Sequence, residues 1–211
     1  MSTRQQEIYH TLLNAFGPQD WWPGDTPFEI MIGAVLTQNT AWTNVERAID
    51  NLKQANLLSL EALAMVEVET LAELIRPSGY YNQKARRLKG LIHYIIDTHG
   101  DLQAFFDQDA VTLREELLCL KGIGPETADS ITLYAAEKPT FVVDTYTHRI
   151  FSRHNLIGEE ADYQELQDLF MDSLPAEIQM YNEYHALIVR LGKEFCKKSK
   201  PLCDECPIKD F

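Results

Sequence analysis

Two stretches with helical patterning, residues 111–120 and 125–136, are joined by Lys121-Gly122-Ile123-Gly124. So tight a turn makes the pair a helical hairpin. Glycine at 122 and 124 lets the backbone take angles barred to other residues and lets an anion approach closely. The amide groups at the start of the second helix then point at that anion, as they do in phosphate-binding turns. Pro125 suits the first helical position, where its missing N–H costs little. Ile123 is expected to tuck between the two helices and hold the turn. About twenty residues on, Val142-Val143-Asp144-Thr145 places a carboxylate beyond the grip. Asp144 is also a good N-cap for the helix that follows.

The rest of the chain also reads as helix, and the expected fold class is all-α with no convincing sheet. Ile8, Tyr9, Leu12, Leu13 and Phe16 recur at helical spacing before Gly17-Pro18. Residues 28–36 read as a buried helix and 42–55 as another. Residues 58–66 and 70–75 are short pieces, broken at Pro77-Ser78-Gly79. Residues 82–99 are amphipathic with a basic start. Further helices are expected at 163–174 and 178–193, after a short extended run at 141–143. The composition, 45% hydrophobic and 24% charged over 211 residues, is that of a globular protein with a proper core. No apolar run approaches the roughly 20 residues a membrane crossing needs. The first residues carry no apolar signal core. A cytoplasmic protein with no membrane partner is expected.

The net charge of −13 sits awkwardly with nucleic acid, which basic surfaces usually meet. A local basic stripe is enough to meet phosphates. Candidates are Lys84, Arg86, Arg87 and Lys89, then Arg149 and Arg153, then Arg190, Lys193, Lys197, Lys198 and Lys200. For any one cluster, a solvated helix face is the plainer reading.

The string Leu120-x-Gly122-Ile123-Gly124-x-x-Thr127-Ala128, followed by Val143-Asp144-Thr145, is far more specific than Gly-x-Gly alone. With Leu36-Thr37-Gln38-Asn39-Thr40 and Gly79-Tyr80-Tyr81-Asn82-Gln83-Lys84-Ala85, it resembles the endonuclease III branch of the helix-hairpin-helix DNA glycosylases. The resemblance spans residues 28–206. It implies two helical domains with a DNA-binding cleft between them. One is a six-helix domain over 21–136 carrying the hairpin; the other is discontinuous, built from 1–20 and 137–211. It further implies a nucleoid-associated monomer whose partner is double-stranded DNA containing a damaged base. Asp144 matches the family's catalytic aspartate. Breaking an N-glycosidic bond builds positive charge on the sugar. A carboxylate can stabilise that charge and orient or deprotonate the attacking water. For an isolated aspartate, helix capping would be the plainer reading, and the two roles are compatible. Gly122, Ile123, Gly124, Thr127 and Lys84 would contact DNA. Excision requires flipping the nucleotide out of the stack. Gln38 matches a residue that fills the gap left behind, and Tyr80 matches an apolar wedge. Alternatively, Gln38 is a buried hydrogen-bonding residue and Tyr80 a loop anchor.

Bifunctional members carry a lysine two residues after the second hairpin glycine, which attacks the sugar and forms a Schiff base. Glu126 stands there instead and cannot do so. The expectation is a monofunctional glycosylase without lyase activity. Glu126 would either help line the catalytic site for a cationic guest, or be a surface glutamate favoured by the helix dipole. Trp21, Trp22 and Trp42 are candidate walls of a base pocket, since aromatic faces attract positive charge and stack on bases; each also reads as ordinary core. Together these features resemble the 3-methyladenine DNA glycosylase III subgroup, which removes alkylated purines. The alternatives are a glycosylase for a mismatched or deaminated base, and a non-catalytic hairpin DNA-binding protein, against which Asp144 argues.

Cys196, Cys203 and Cys206 give C-x6-C-x2-C, a metal-site spacing rather than a disulfide pattern. The family's clusters use C-x6-C-x2-C-x5-C. The fourth ligand would fall at position 212, so either the sequence stops one residue early or the cluster is absent or incomplete. A [4Fe–4S] cluster is expected, with zinc as the alternative. Cys119 reads as a buried small residue.

Overall fold

The chain is all-α: its regular elements are helical, and no strand occurs among the described residues. The computed structural model describes residues 2–21 and 24–211. In chain order the α-helices are α1 (Arg4–Phe16), α2 (Pro27–Leu36), α3 (Trp42–Gln54), α4 (Leu60–Met65), α5 (Val68–Leu74), α6 (Tyr81–His99), α7 (Leu102–Phe106), α8 (Ala110–Cys119), α9 (Pro125–Ser130), α10 (Thr145–Arg153), α11 (Tyr163–Met171) and α12 (Ile178–Glu194). The chain divides into two compact units. One is continuous, Trp22–Lys138, and the other is assembled from Met1–Trp21 and Pro139–Phe211.

The continuous unit is organised around α2, in which nine of ten residues are buried. Phe-Glu-Ile-Met-Ile-Gly-Ala-Val-Leu is apolar on nearly every side, so the helix must be surrounded. Thr26 caps it by accepting from Glu29 N at 3.2 Å, and Pro27 fills its first position. Around it, α3 buries only its Val45, Ala48, Ile49 and Leu52 stripe. The long α6 likewise turns Ala85, Leu88, Leu91, Ile92 and Ile95 inward. Where a six-helix domain is expected, eight α-helices, α2–α9, together with a 3-10 turn and a π-helical turn fall in this unit among the described residues. Short pieces are delimited by their own caps: Ser59 accepts from Ala62 N at 3.2 Å for α4, and Asp101 from Ala104 N at 2.8 Å for α7.

The helix expected over 125–136 is not uniform. After α9 the chain widens into a π-helical turn, Ile131–Ala135. Thr132 Oγ1 donates to Ala128 O at 2.9 Å and so occupies a carbonyl of the α ladder. Ala136 N then reaches back five residues to Ile131 O.

The discontinuous unit has an aromatic core. The Phe141 and Phe170 rings stack at 4.0 Å, with Tyr181 and Tyr184 edge-on to Phe141. The run 141–143 is buried without entering a ladder, and Gln167 Nε2 satisfies Phe141 O at 2.7 Å. Gly192 on α12 lets Tyr146 of α10 approach: a Cβ there would stand 2.3 Å from the Tyr146 ring.

Several of the candidate DNA-facing cations are instead engaged at helix ends, and Lys84 among them is buried. Lys84 Nζ donates to Leu36 O at 2.8 Å, at the end of α2, and to Ser78 O. Lys89 Nζ donates to Leu63 O and Val66 O at the end of α4. Arg190 donates to Phe16 O at the end of α1 and lies over the Phe16 ring. Arg149 donates to Gly192 O in α12. Each cation meets carbonyls that the helix leaves unpaired, at the negative end of the dipole. Arg86, Lys193, Lys197, Lys198 and Lys200 remain exposed.

Candidate active site

In the continuous unit, α8 and α9 form the hairpin. Gly122 has φ +89°, and Ile123 N closes the turn on Leu120 O at 3.1 Å. Ile123 is buried. A side chain at Gly122 meets a second obstacle: a Cβ would stand 2.3 Å from Arg87 Nε, so the Arg87 side chain would have to move. Gly124 is the N-cap of α9 with Pro125 behind it. The first amides of α9 have no intrahelical partner by geometry. Arg114 and the fully buried Asp129 brace the arms, with Nε–Oδ1 at 2.6 Å.

A cavity of about 280 Å³ opens beside this turn, lined by Gln38, Asn39, Gly122, Glu126, Thr127 and Ser130 among others. Gln38 is held by the hairpin. Its Nε2 donates to Gly122 O at 3.1 Å and to Thr127 Oγ1 at 2.9 Å, and Arg87 donates to its Oε1. Thr127 is therefore buried and spends its hydroxyl on Gln38 rather than presenting it outward. Glu126 is exposed on the cavity wall.

In the discontinuous unit, Asp144 occupies the N-cap of α10. Its Oδ1 accepts from both Thr147 N and Thr147 Oγ1 at 2.8 Å, and Thr147 Oγ1 in turn meets Asp144 N. Oδ2 is left out of the cap and faces His185 Nε2 of α12 at 3.5 Å. Both side chains are about nine-tenths buried, at 10% and 8% exposure. Burial works to raise the Asp144 pKa. His185 and the Thr147 bonds outweigh it and hold the carboxyl below its usual value. The Trp21 ring lies edge-on to His185, with centroids 5.9 Å apart.

Trp42 is half-buried at the start of α3, against Gly33 of α2. Trp22 lies outside the described residues. Tyr80 is 67% exposed and sits in a left-handed conformation before α6, as a projecting loop residue would. Lys84 is not a surface contact. It is 1% exposed, and burial with the nearby Arg87 charge lowers its pKa to about 8. Sequence patterning missed His185 and the Arg87–Gln38 bond. A histidine on the apolar face of α12, beside Leu187 and Ile188, was the available signal for the first.

Cys196 and Cys206 are buried, while Cys203 is exposed. Burial pushes the Cys206 thiol up, and the neighbouring Cys196 and Cys203 add to the shift, so the three share one locality. Arg153 approaches Cys196 Sγ at 3.4 Å and donates to Lys197 O and Lys198 O, and Arg149 donates to Cys196 O. Among the described residues, no three His, Cys, Asp or Glu side chains are gathered as a ready ion site. The donor set nevertheless fits: three thiols bordered by two guanidiniums suit an anionic thiolate cluster. Cys119 is exposed rather than buried.

Residues 32–176 match the family described as HhH-GPD superfamily base excision DNA repair protein, and residues 196–211 match the iron-sulfur binding domain of endonuclease III. A Methanocaldococcus jannaschii protein provisionally named a DNA repair glycosylase is 51% identical over 97% of this chain and 94% of its own. The crystal structure of the H. pylori 3-methyladenine DNA glycosylase MagIII bound to 1,N6-ethenoadenine is similar at a TM-score of 0.80. It is 35% identical and covers 91% of this chain and 98% of its own. A non-covalent endonuclease III–DNA complex superposes at a TM-score of 0.82 with 25% identity, covering 98% of this chain and 94% of the other.

Proposed function

We propose that this chain, which belongs to the HhH-GPD superfamily of base excision DNA repair proteins, is a monofunctional glycosylase that releases alkylated purines from double-stranded DNA. The observation that carries the reading is Glu126. It stands on the cavity wall at the second position after Gly124, where an attacking amine would have to be for Schiff-base chemistry. A glutamate there leaves water as the nucleophile.

The step balances without any further reagent. The C1′–N bond breaks, and its electron pair goes to the base. In a purine alkylated at N3 or N7 that pair cancels the formal positive charge, so the base leaves neutral and little leaving-group activation is needed. Water oxygen bonds to C1′, and its proton goes to the carboxylate of Asp144 and then to solvent. Asp144 also opposes the positive charge that develops on the sugar. The hairpin amides at Gly124 and in α9 hold a backbone phosphate, and Tyr80 enters the stack. Similarity to a 3-methyladenine DNA glycosylase at 35% identity supports this substrate class.

Cys196, Cys203 and Cys206 would hold an iron–sulfur cluster, and the match to the iron-sulfur domain favours this over zinc. A cluster there would fix the loop that carries Lys197, Lys198 and Lys200, and the bond cleavage would not call on it.

The test is a panel of duplexes carrying 3-methyladenine, 7-methylguanine, uracil or an oxidised pyrimidine. Release of the methylated purines with little release from the others is expected. Preferential release of uracil would move the assignment to deaminated bases. Binding without release from any duplex would leave a DNA-binding module.

A further inference from the structure

Asp144 has two oxygens in different employment. Oδ1 is committed to the helix cap, taking two bonds from Thr147. Oδ2 takes no part in the cap, and the imidazole of His185 stands 3.5 Å from it. The cap alone fixes the position of the carboxylate carbon but leaves the plane of the group free to tilt. A donor on the second oxygen removes that freedom. His185 is itself held: α12 packs along α10, and the Trp21 ring closes against the imidazole edge.

We propose that His185 is a positioning residue for the reaction, with Nε2–H directed at Asp144 Oδ2 so that the oxygen outside the cap is aimed and kept ionised. This rests on Asp144 being the catalytic carboxylate. A charge-assisted bond to a nearly buried carboxylate is worth more than one at the surface. It also compensates the cost of ionising a carboxyl in so enclosed a place. Thr147 from its own helix and His185 from α12 are the groups that offset burial of Asp144. Trp21 then serves through His185, beside or instead of stacking on a base.

The experiment compares His185→Leu and His185→Gln with Asp144→Asn in the full-length protein. Gln can return a donor near the position of Nε2, whereas Leu preserves apolar bulk beside Trp21. Single-turnover base release is measured on the duplex that the wild type processes best, and affinity on the same duplex carrying an abasic analogue. His185→Leu should slow release roughly 10- to 100-fold, the size expected for losing a bond to a charged group. Affinity should be unchanged, and His185→Gln should recover most of the rate. Carboxyl 13C titration of Asp144 should show its pKa rising in the Leu variant and staying low in the Gln variant. Equal rates in wild type and His185→Leu, or equal loss in Leu and Gln, would overturn the proposal. So would an Asp144 titration indifferent to both. Full release by Asp144→Asn would instead sink the assignment of Asp144, a separate result from any of these.

Discussion

At the scale of single residues, the two oxygens of Asp144 leave room for capping and the proposed catalysis together. Capping and catalysis compete for the same side chain only if both oxygens are needed for one task. Here Oδ1 serves the cap and Oδ2 does not. Asp144→Asn keeps an Oδ1 acceptor and loses the charge. Base release should fall by at least about 100-fold, while the melting temperature shifts little; a large drop in Tm would return Asp144 to a purely structural role. Lys84 makes a second residue-scale prediction. Its folded pKa of about 8 lies below that of a free lysine. Between those values the unfolded chain holds a proton that the folded chain has lost, so Lys84 makes stability rise as pH climbs from 8 towards 10. Lys84 should contribute a slope of up to about 1.4 kcal/mol per pH unit, read as the difference between wild type and Lys84→Met in urea titrations at each pH. The raised Cys206 thiol acts in the opposite sense in the upper part of that window, and the raised pKa values of Tyr9, Tyr94, Tyr181 and Tyr184 do so above it.

At the scale of elements, the hairpin was the most legible part of the chain, because glycine spacing and a first-position proline act locally. Gly122 needs both a positive φ and room for Arg87. Gly122→Ala should weaken binding to undamaged duplex and lower stability by about 1–2 kcal/mol, measured by fluorescence anisotropy and by chemical denaturation. Unchanged values for both would mean the turn tolerates a side chain. Long amphipathic helices were equally readable from their periodicity. The π-helical turn was not, since Thr132 diverts the Ala128 carbonyl through a hydroxyl bond that no hydrophobic pattern records. The basic clusters misled for a similar reason. Charge and spacing do not tell whether a cation faces solvent or a helix end, and Lys84, Lys89 and Arg190 chose helix ends. Likewise, resemblance marked Gln38 as a gap-filling residue, but its bond to Arg87 is a tertiary event between α6 and the loop after α2.

At the scale of the whole molecule, the family and the all-α architecture follow from motifs that run nearly the length of the chain. With a net charge of −13, the proposed DNA contact rests on localised groups: hairpin amides, and exposed lysines such as Lys197, Lys198 and Lys200. Chemical analysis of protein purified without oxygen should find iron and acid-labile sulfide together, with little zinc; zinc in place of iron would reassign the cysteine site. The central claim is that water rather than a protein amine breaks the glycosidic bond, and borohydride trapping tests it most directly. A duplex carrying a methylated purine is incubated with the protein and sodium borohydride, and both base release and covalent protein–DNA adduct are quantified. Base release with intact strands and no adduct above background is the predicted result. Adduct accumulating in step with released base would show an amine nucleophile and contradict the account.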